Sequence, residues 1–356
     1  MITNRGKITA LVGAQYGSEG KGTIVAHIAN QYNVHVRIGS PNAGHTFYWK
    51  GEKHVQRSIP CGWTNPNALI FIGRGALIDM ECMLEEIAII EKYYPDFKRR
   101  LHIDANAGIL SKEFQQEEGG ILGEMHHRIG STGEGVGPAR IARIRRDPNQ
   151  FKLFYEVAEQ HGLESCVTPN TPEVLHTLNM AGFHIMIEGT QGSALSLLHS
   201  YWPYCTSTDT NAAQMLADIG IAPSMLTDVI LVARTFPIRV AGNSGPMQNE
   251  ITWEELSARL GRDVSERTTV TKKVRRIGEW DRNLFNMAVL LNQPTQIALT
   301  FADYIDPTLY GVNNKERLLD SHPLMEFIVS SGLSQVYNKL RYIATGPQTV
   351  INMTGE

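Results

Sequence analysis

The chain has 356 residues, of which 42% are hydrophobic and 19% charged, and its 33 basic and 36 acidic residues give a net charge of −3. The hydrophobic fraction excludes bulk disorder, and the balanced charge argues against non-specific binding to nucleic acid or to a membrane surface. Apolar runs are shorter than the ~18 residues of a membrane span. Four cysteines without a CxxC pair argue against a zinc site or a disulfide framework, so we expect a cytoplasmic protein with reduced thiols.

Strand-like and helical patterns alternate along the chain. The apolar run from Ile8 to Gly13 predicts a buried strand, and a glycine-rich loop after it leads into a helix near 22–29. Asp79 is placed to cap the N-terminus of a second helix. Further β-rich runs lie at 34–38, 68–72, 101–105, 183–187, 229–233 and 296–301, with helical spacing at 211–220 and 281–292. This alternation predicts one α/β domain over residues 1–356, with a central mostly parallel β-sheet surrounded by helices and long functional loops at strand ends.

The segment from Gly13 to Thr23 reads GAQYGSEGKGT and lies between the first strand and the first helix. Its glycines allow the backbone to approach a ligand closely, and the helix N-terminus presents free amide hydrogens to an anion. Lys21 adds a charge suited to phosphate oxygens. Gln15 and Gly22 stand where a Walker A loop has glycine and a hydroxyl residue, so the segment predicts a nucleotide site that is P-loop-like but not a Walker A loop.

This loop resembles the N-terminal signature of the adenylosuccinate synthetase family, whose usual form is GxQWGDEGKG. Further blocks match in the same order over almost the whole chain: NAGHT (42–46), IGSTGEGVGP (129–138), IEGTQG (187–192), WPYCTS (202–207), RVAGNSGP (239–246), residues 268–281 and TGP (345–347). The resemblance implies a ligase that joins the amino group of aspartate to C6 of a purine nucleotide, using a nucleoside triphosphate and Mg²⁺. Because the purine 6-oxo group leaves poorly, the family first phosphorylates that oxygen and then displaces phosphate with the aspartate amine.

The resemblance also implies roles for individual residues. Ser18, Lys21 and His45 are catalytic, and His45 is the acid that assists activation of the oxygen; we expect its glycine-flanked turn to expose an imidazole that titrates near neutrality. The implied contacts of the nucleoside monophosphate are Ser18, Asn42, Ala43, Thr132, Arg146, Gln191, Thr206 and Lys273. The implied contacts of the triphosphate are Gly17, Glu19, Gly20, Lys21, Gly22, Thr23, Gly44, His45, Thr46, Arg275, Asp303, Gly346 and Pro347. Those of aspartate are Thr269, Val270, Thr271, Lys273 and Arg275, and those of Mg²⁺ are Ser18 and Gly44.

Two groups of basic residues are candidate anion contacts. Arg140, Arg143, Arg145 and Arg146 are crowded, which fits either anion binding or a solvated helix face. The resemblance implies a homodimer in which Arg146 reaches the 5′-phosphate across the interface. The loop 267–276 holds five basic residues and no acid, and such a density repels itself unless an anion lies among them. The resemblance implies that this loop closes over the carboxylates of aspartate.

Ser18 is the first departure from the family pattern, which has an aspartate here that serves as base at purine N1 and as metal ligand. A hydroxyl is a much weaker base and Mg²⁺ ligand than a carboxylate, but it leaves room beside purine C2 and removes a charge. The serine form resembles the phage branch of the family, the 2-aminoadenylosuccinate synthetases, which act on dGMP in the pathway to 2,6-diaminopurine DNA. Without the aspartate, three groups are candidates for removing the proton from purine N1: Glu19, a bound water, and Ser18 acting in a relay.

Two further departures concern the triphosphate and the aspartate loop. The family reads the guanine of GTP with a Lys-x-Asp pattern, but Phe301 replaces the lysine before Asp303, which favours ATP or dATP. Phe301 itself offers only stacking or packing. Lys272 and Lys273 replace a Gly-Arg pair of the aspartate loop, and lysine lacks the bidentate fork of arginine. Because the family's arginine lies near the ribose 2′-hydroxyl, its loss is tolerable for a deoxynucleotide.

Three hypotheses follow. The first is a cytoplasmic ligase (in the host cytoplasm if phage-encoded) that condenses dGMP with L-aspartate, using ATP or dATP and Mg²⁺, and works as a homodimer without a nucleic-acid or membrane partner. The second is a conventional adenylosuccinate synthetase that uses IMP and GTP, against which Ser18 and Phe301 both argue. The third is an inactive nucleotide-binding regulator, which would have no need of an aspartate loop.

Overall fold

The computed structural model describes residues 5–119, 128–268 and 273–354. The strands are β1 (Ile8–Gly13), β2 (Val34–Arg37), β3 (His45–Trp49), β4 (Glu52–Gln56), β5 (Leu69–Ile72), β6 (Leu77–Ile78), β7 (Leu101–Asp104), β8 (Gly108–Ile109), β9 (Val167–Thr168), β10 (Ile185–Glu188), β11 (Asp228–Arg234), β12 (Ile238–Arg239), β13 (Glu250–Ile251), β14 (Arg276–Gly278), β15 (Gln296–Thr300), β16 (Leu340–Gly346) and β17 (Thr349–Asn352). The α-helices are α1 (Lys21–Ile28), α2 (Met80–Glu91), α3 (Lys112–Gly119), α4 (Val136–Arg145), α5 (Phe154–Val157), α6 (Thr171–Met180), α7 (Ala212–Ile219), α8 (Trp253–Leu260), α9 (Arg282–Asn292), α10 (Lys315–Leu319) and α11 (His322–Ser330).

A large sheet forms the centre of the described structure, in the strand order β17-β16-β15-β11-β1-β10-β2-β5-β7-β9. Neighbouring strands in this sheet run parallel, except for the antiparallel pair β16 and β17. The predicted α/β fold with a mostly parallel central sheet is therefore confirmed. Because β1 lies between β10 and β11, the loops that follow these three strands meet at one edge of the sheet, where ligands bind in folds of this kind.

The predicted elements match the observed ones closely. The helix expected near 22–29 is α1, and the Asp79 carboxylate accepts a hydrogen bond from the Cys82 amide at 3.0 Å at the start of α2, as predicted. The strand expected at 183–187 begins later, at Ile185. Phe183, where the strand was expected to begin, instead donates its amide hydrogen bond to the carbonyl oxygen of Leu178 and closes the end of α6.

Apolar side chains pack on both faces of the sheet, as expected for parallel strands covered by helices. Val12 and Ile187 belong to the core on the face of α7 and α9. Leu11 and Ile230 belong to the core on the face of α1 and α2. Successive strand residues therefore serve opposite cores, and this anchors the end of β1 and the loop that follows it. Among the described helices, none has the length and apolar character to cross a membrane.

Candidate active site

A cleft opens where the loops after β1, β2 and β10 meet. Several residues from these loops and from the later blocks line its wall. The predicted site residues on this wall are Gly17, Ser18, Lys21, Asn42, Ala43, Gly44, His45, Thr132, Gln191, Thr206 and Arg275. The cleft is also lined by residues that had no predicted role, among them Tyr16, Glu118, Tyr204 and Arg239. The fold therefore brings blocks that are far apart in the sequence around a single cleft.

The glycine-rich loop between β1 and α1 is held by the carboxylate of Glu19. Gly17 and Gly20 have φ of 85° and 83°, in the left-handed region that glycine adopts without strain. Oε1 of Glu19 accepts hydrogen bonds from the backbone amides of Gln15 and Gly17, at 3.0 and 2.9 Å. Glu19 is fully buried and does not lie on the described wall of the cleft. Its carboxylate shapes the loop, which argues against Glu19 as the base at purine N1.

Lys21, the first residue of α1, lines the cleft with a side chain that is almost fully buried. Its ammonium nitrogen lies 2.7 Å from Oε2 of Glu19 and 2.5 Å from the carbonyl oxygen of Gln191. An ammonium group has three N–H donors, so these two described partners leave one donor for a ligand in the cleft. The geometry suits a cation that contacts phosphate while Glu19 holds it in place.

His45 begins β3, and its ring is fixed on one side by a buried ion pair. Nδ1 lies 2.5 Å from Oε1 of Glu188, and the Arg37 guanidinium lies 2.6 Å from the same oxygen. An ionised carboxylate only accepts hydrogen bonds, so Nδ1 of His45 carries a proton and donates it to Glu188. Nε2 is buried without a hydrogen-bond partner among the residues that the structure describes. Because His45 lines the cleft, Nε2 is the ring atom left for a ligand.

The expectation of an exposed histidine that titrates near neutrality is wrong. His45 is only 6% exposed. Burial and the charge of Arg37 lower the pKa of His45 to about 4, although Glu188 acts in the opposite direction. Burial by itself would raise the pKa of Glu188, but the hydrogen bond and charge of His45 and the charge of Arg37 lower it to about 2. The imidazole is therefore neutral at pH 7, and an anionic ligand beside Nε2 would favour its protonation.

Glu188 is a residue whose position the sequence analysis did not single out. It ends β10 and is fully buried, and its other oxygen, Oε2, accepts a hydrogen bond from the Cys61 amide at 2.7 Å. A carboxylate at the end of an apolar strand, directly before a glycine, was the available signal. The ligand atoms of His45, Cys61 and Glu188 lie within 4.8 Å of one another. The guanidinium of Arg37 on the same carboxylate opposes a metal cation there.

Glu118 in α3 carries the one carboxylate on the described part of the cleft wall. It accepts a hydrogen bond from the Ser131 hydroxyl, next to the predicted contact Thr132. Its other oxygen is buried and has no hydrogen-bond partner within the described ranges. Because α3 is a polar, mostly exposed helix, nothing in its sequence indicated that one of its acids turns inward.

Arg234, the last residue of β11, connects Ser18 with Phe301. Its guanidinium donates to the carbonyl oxygen of Ser18 at 3.0 Å and lies 3.9 Å from the centroid of the Phe301 ring. Both linked residues have positive φ, 58° at Ser18 and 60° at Phe301, which is uncommon outside glycine. Tyr304 packs edge-on against the same ring at 5.1 Å. The Phe301 ring thus packs against Arg234 and Tyr304 in the described structure.

The family model described as adenylosuccinate synthetase matches residues 10–163 and 149–309 of this chain. This chain belongs to the adenylosuccinate synthetase family. The adenylosuccinate synthetase of Methanococcus maripaludis strain C7 is 37% identical over 343 residues, 96% of each chain. That of Methanocaldococcus jannaschii is 37% identical over 351 residues, 97% of this chain and 93% of the relative.

Two solved structures of synthetases have the same fold as this chain. The succinoaminodeoxyadenylate synthetase of cyanophage S-2L, bound to dGMP and to dATP as an energy donor, matches with a TM-score of 0.80 and 30% identity over 98% of this chain and 96% of that chain. The fully ligated adenylosuccinate synthetase of Plasmodium falciparum matches with a TM-score of 0.82 over 98% of this chain and 100% of that chain; at 20% identity it supports the fold alone. The chain is thus a ligase that forms C–N bonds, of the adenylosuccinate synthetase type.

Several residues predicted to bind the triphosphate of this synthetase lie behind the cleft wall or beyond it. Gly20, Gly22, Thr23 and Thr46 belong to the junction of α1 with β3. A Cβ atom on Gly22 would lie 3.0 Å from the carbonyl oxygen of Thr46, so glycine is needed for this packing. Asp303, Gly346 and Pro347 lie near the ends of β15 and β16, outside the described cleft wall.

The four crowded arginines near the end of α4 lie in two different environments. Arg140 and Arg143 donate to the backbone carbonyl oxygens of Gly75 and Asn106, at 2.9 and 3.0 Å, and both are at least partly buried. Arg145 and Arg146 are exposed, and so is Lys273. The crowding of arginines in α4 thus divides into two residues that brace the fold and two on a solvated face. The predicted aspartate contacts Thr269, Val270 and Thr271 lie outside the described residues.

Proposed function

We propose that this synthetase condenses dGMP with L-aspartate, using ATP or dATP and Mg²⁺, to give N6-succino-2-amino-2′-deoxyadenylate for the synthesis of 2,6-diaminopurine DNA. The observation that carries the proposal is Ser18 on the cleft wall, at the position where the usual signature of the family has an aspartate. Its small hydroxyl leaves room for the 2-amino group of guanine and can accept a hydrogen bond from it. The cyanophage S-2L relative, solved with dGMP and dATP, supports this choice of nucleotides.

The reaction has two steps. Phosphoryl transfer to O6 needs a positioned donor and cationic cover for the moving group. Lys21 supplies one cation at the glycine-rich loop. An anionic phosphate beside Nε2 favours protonation of His45, and the protonated Nε2 then donates a hydrogen bond toward the activated O6 while Glu188 holds the ring through Nδ1. The aspartate amine then displaces phosphate from C6. With Glu19 engaged in the loop, the N1 proton leaves through water or through Ser18 in a relay.

Mg²⁺ fits this cleft as an ion held chiefly by nucleotide phosphates. Ser18 and Gly44, whose hydroxyl and carbonyl oxygens are its predicted ligands, both line the cleft. Both are neutral oxygens, and Mg²⁺ usually keeps several waters and takes few protein ligands beside substrate phosphates. When bound, the ion would neutralise charge on the transferred phosphoryl group.

Turnover with defined substrates tests the proposal. Purified protein is incubated with aspartate, Mg²⁺ and each pairing of dGMP or IMP with ATP or GTP, and the products are identified by mass. We expect product from dGMP with ATP. Turnover of IMP with GTP alone would establish the conventional activity, which the 37% identity to archaeal adenylosuccinate synthetases favours. Absence of turnover with every pair would favour the inactive regulator.

A homodimer is part of the proposal, with Arg146 donated to the partner's cleft. Arg146 is exposed at the end of α4, and the same helix exposes Ile141 at 47% and Ile144 at 76%. An exposed apolar pair beside a cation is a surface that a second copy could cover.

Mixing two inactive variants tests this contribution across the interface. Arg146→Ala and Lys21→Ala should each be nearly inactive alone. If Arg146 acts in the partner's cleft, mixed dimers hold one intact site, so an equal mixture should regain about a quarter of wild-type turnover. The control is a mixture of Lys21→Ala with Arg145→Ala, measured beside Arg145→Ala alone, since Arg145 is the exposed neighbour. A mixture of the two inactive variants that stays inactive, although exchange of subunits is demonstrated, would contradict the trans contribution.

Glu188→Gln tests the positioning of His45. The amide keeps the size of the side chain but removes the charge that favours a cationic ring, so we expect kcat to fall about a hundredfold with little change in KM, because Glu188 does not lie on the described cleft wall. Glu86→Gln is the matched control, since Glu86 is also a buried carboxylate bound by backbone amides. An equal loss of kcat in both variants would reduce Glu188 to a structural role.

A further inference from the structure

Two residues of the glycine-rich loop are held from the carboxyl ends of neighbouring strands. Arg234 ends β11 and Thr300 ends β15, and the two are partners in the register of the sheet. The Arg234 guanidinium donates to the carbonyl oxygen of Ser18 at 3.0 Å, and the Thr300 hydroxyl donates to that of Glu19 at 2.7 Å. The side-chain amide of Gln15 binds the backbone N–H and carbonyl of Arg234, at 3.0 and 2.9 Å. The backbone of Arg234 is thus fixed to the start of the loop while its side chain holds Ser18.

The guanidinium of Arg234 is itself held on its edge and on its face. Nη2 lies 2.7 Å from Oε1 of Glu266, and the centroid of the Phe301 ring lies 3.9 Å from the guanidinium. The Arg234 side chain is fully buried, whereas that of Glu266 is 26% exposed. A buried cation that loses its carboxylate destabilises a protein strongly, so the pair with Glu266 is needed to keep Arg234 in this place. Glu266 and Phe301 therefore set the position from which Nη1 reaches Ser18.

The backbone of Ser18 depends on such a contact. Its φ of 58° lies in the left-handed region, which residues with a side chain adopt rarely and which persists where the surroundings fix it. Gly17 and Gly20 have φ of 85° and 83°, and glycine opposes a backbone rotation less than any other residue. The direction of the Ser18 hydroxyl follows from these backbone angles, so the hydrogen bond from Arg234 decides where that hydroxyl points.

We infer that Arg234 is a positioning residue for the choice of nucleoside monophosphate. By holding the carbonyl oxygen of Ser18, it keeps the hydroxyl on the cleft wall, in place to accept a hydrogen bond from the 2-amino group of guanine. Phe301 acts through Arg234, because a lysine, the usual residue of the family, would set an ammonium group against the guanidinium and repel it. The inference rests on the proposed function, since it explains how Ser18 is held for the task given to it there.

Binding of two monophosphates that differ in one group tests the inference without turnover. 2′-Deoxyinosine 5′-monophosphate (dIMP) lacks only the 2-amino group of dGMP, so the ratio of the two affinities reports the contact with that group. Isothermal titration calorimetry measures both affinities, and we expect the wild-type protein to bind dGMP about tenfold more tightly. Arg234→Met keeps the length of the side chain but removes its donors, and the ratio should fall to near one. Phe301→Lys should lower the ratio in the same direction.

Arg100→Met is the matched control. Arg100 also donates to backbone carbonyl oxygens, those of Trp63 and Asn65 at 2.8 and 2.9 Å, and it also lies against aromatic rings, those of Tyr94 and Phe97. It does not lie on the described wall of the cleft. We expect this variant to lower the melting temperature and to leave the ratio of dGMP to dIMP affinity unchanged.

A double variant tests whether Arg234 acts through Ser18. Ser18→Ala removes the hydroxyl and should by itself lower the ratio of dGMP to dIMP affinity. If Arg234 only positions that hydroxyl, then Arg234→Met added to Ser18→Ala should lower the ratio no further. Effects that add would show that Arg234 acts independently of Ser18 and would overturn the inference.

The outcomes separate this inference from the proposed function. An unchanged ratio in Arg234→Met, or an equal fall in Arg100→Met, would overturn the role of Arg234 even if dGMP stays the preferred ligand. An unchanged ratio in Phe301→Lys would overturn the part given to Phe301 and, should Arg234→Met not fold, the inference as a whole. A wild-type protein that binds dIMP as tightly as dGMP would overturn both the inference and the role of Ser18. Failure of dGMP to react would overturn the proposed reaction alone, because the measured ratio does not depend on turnover.

Discussion

Ser18→Asp is expected to lower kcat/KM for dGMP about a hundredfold, ~3 kcal/mol, and to raise that for IMP. The carboxylate would occupy the space beside purine C2 that the proposed function gives to the 2-amino group. It would also restore an acceptor for the N1 proton, which favours IMP. The backbone permits the change, because Ser18 has φ of 58° and aspartate tolerates this region better than most residues. Steady-state kinetics with each monophosphate at saturating ATP and aspartate measure the effect.

Two controls separate bulk from charge. Ser18→Asn adds the same volume without charge and should also impair dGMP, but it should not improve IMP, because an amide cannot take the N1 proton. Ser207→Asp places a carboxylate elsewhere on the cleft wall. It should not shift the preference of the enzyme from dGMP to IMP. Unchanged dGMP kinetics in Ser18→Asp would remove Ser18 from the choice of substrate.

The sequence predicted the sheet because its strands are fully buried apolar runs bounded by turns. Ile8–Gly13 and Asp228–Arg234 show this pattern without ambiguity. Asp79 was likewise predicted to cap α2, and it does so. The wall of the cleft was also predictable, because the glycine-rich blocks follow strands whose carboxyl ends meet at one edge. Local pattern and register were sufficient for these features.

What the sequence could not reveal depends on contacts between distant segments. The surroundings of His45 are set by Arg37 and Glu188, which lie on neighbouring parallel strands in register with each other. That register buries the imidazole, whereas the local NAGHT segment had indicated an exposed turn. Likewise, the contact of Arg234 with both Ser18 and Phe301 joins two departures from the family pattern that appear independent in the sequence. Such pairings appear only once the strand order is known.

Lys21→Ala is expected to lower kcat/KM by more than a hundredfold, about 3 kcal/mol, which is typical for the loss of one electrostatic donor in a reaction of this kind. The side chain contributes a buried charge at the loop where the phosphates are proposed to bind. Its removal also leaves the buried Glu19 without its cation, so we expect thermal stability to fall as well. Both quantities need to be measured, by steady-state kinetics and by calorimetry.

A double variant distinguishes these two effects. Glu19→Gln combined with Lys21→Met removes both charges, and a glutamine oxygen can still accept from the amides of Gln15 and Gly17. We expect the double variant to recover most of the melting temperature but none of the turnover, because the cation that faces the phosphates is still missing. If turnover returned together with stability, Lys21 would act only by neutralising Glu19, and the phosphoryl group would have to find its cationic cover in Mg²⁺ and the arginines of the cleft.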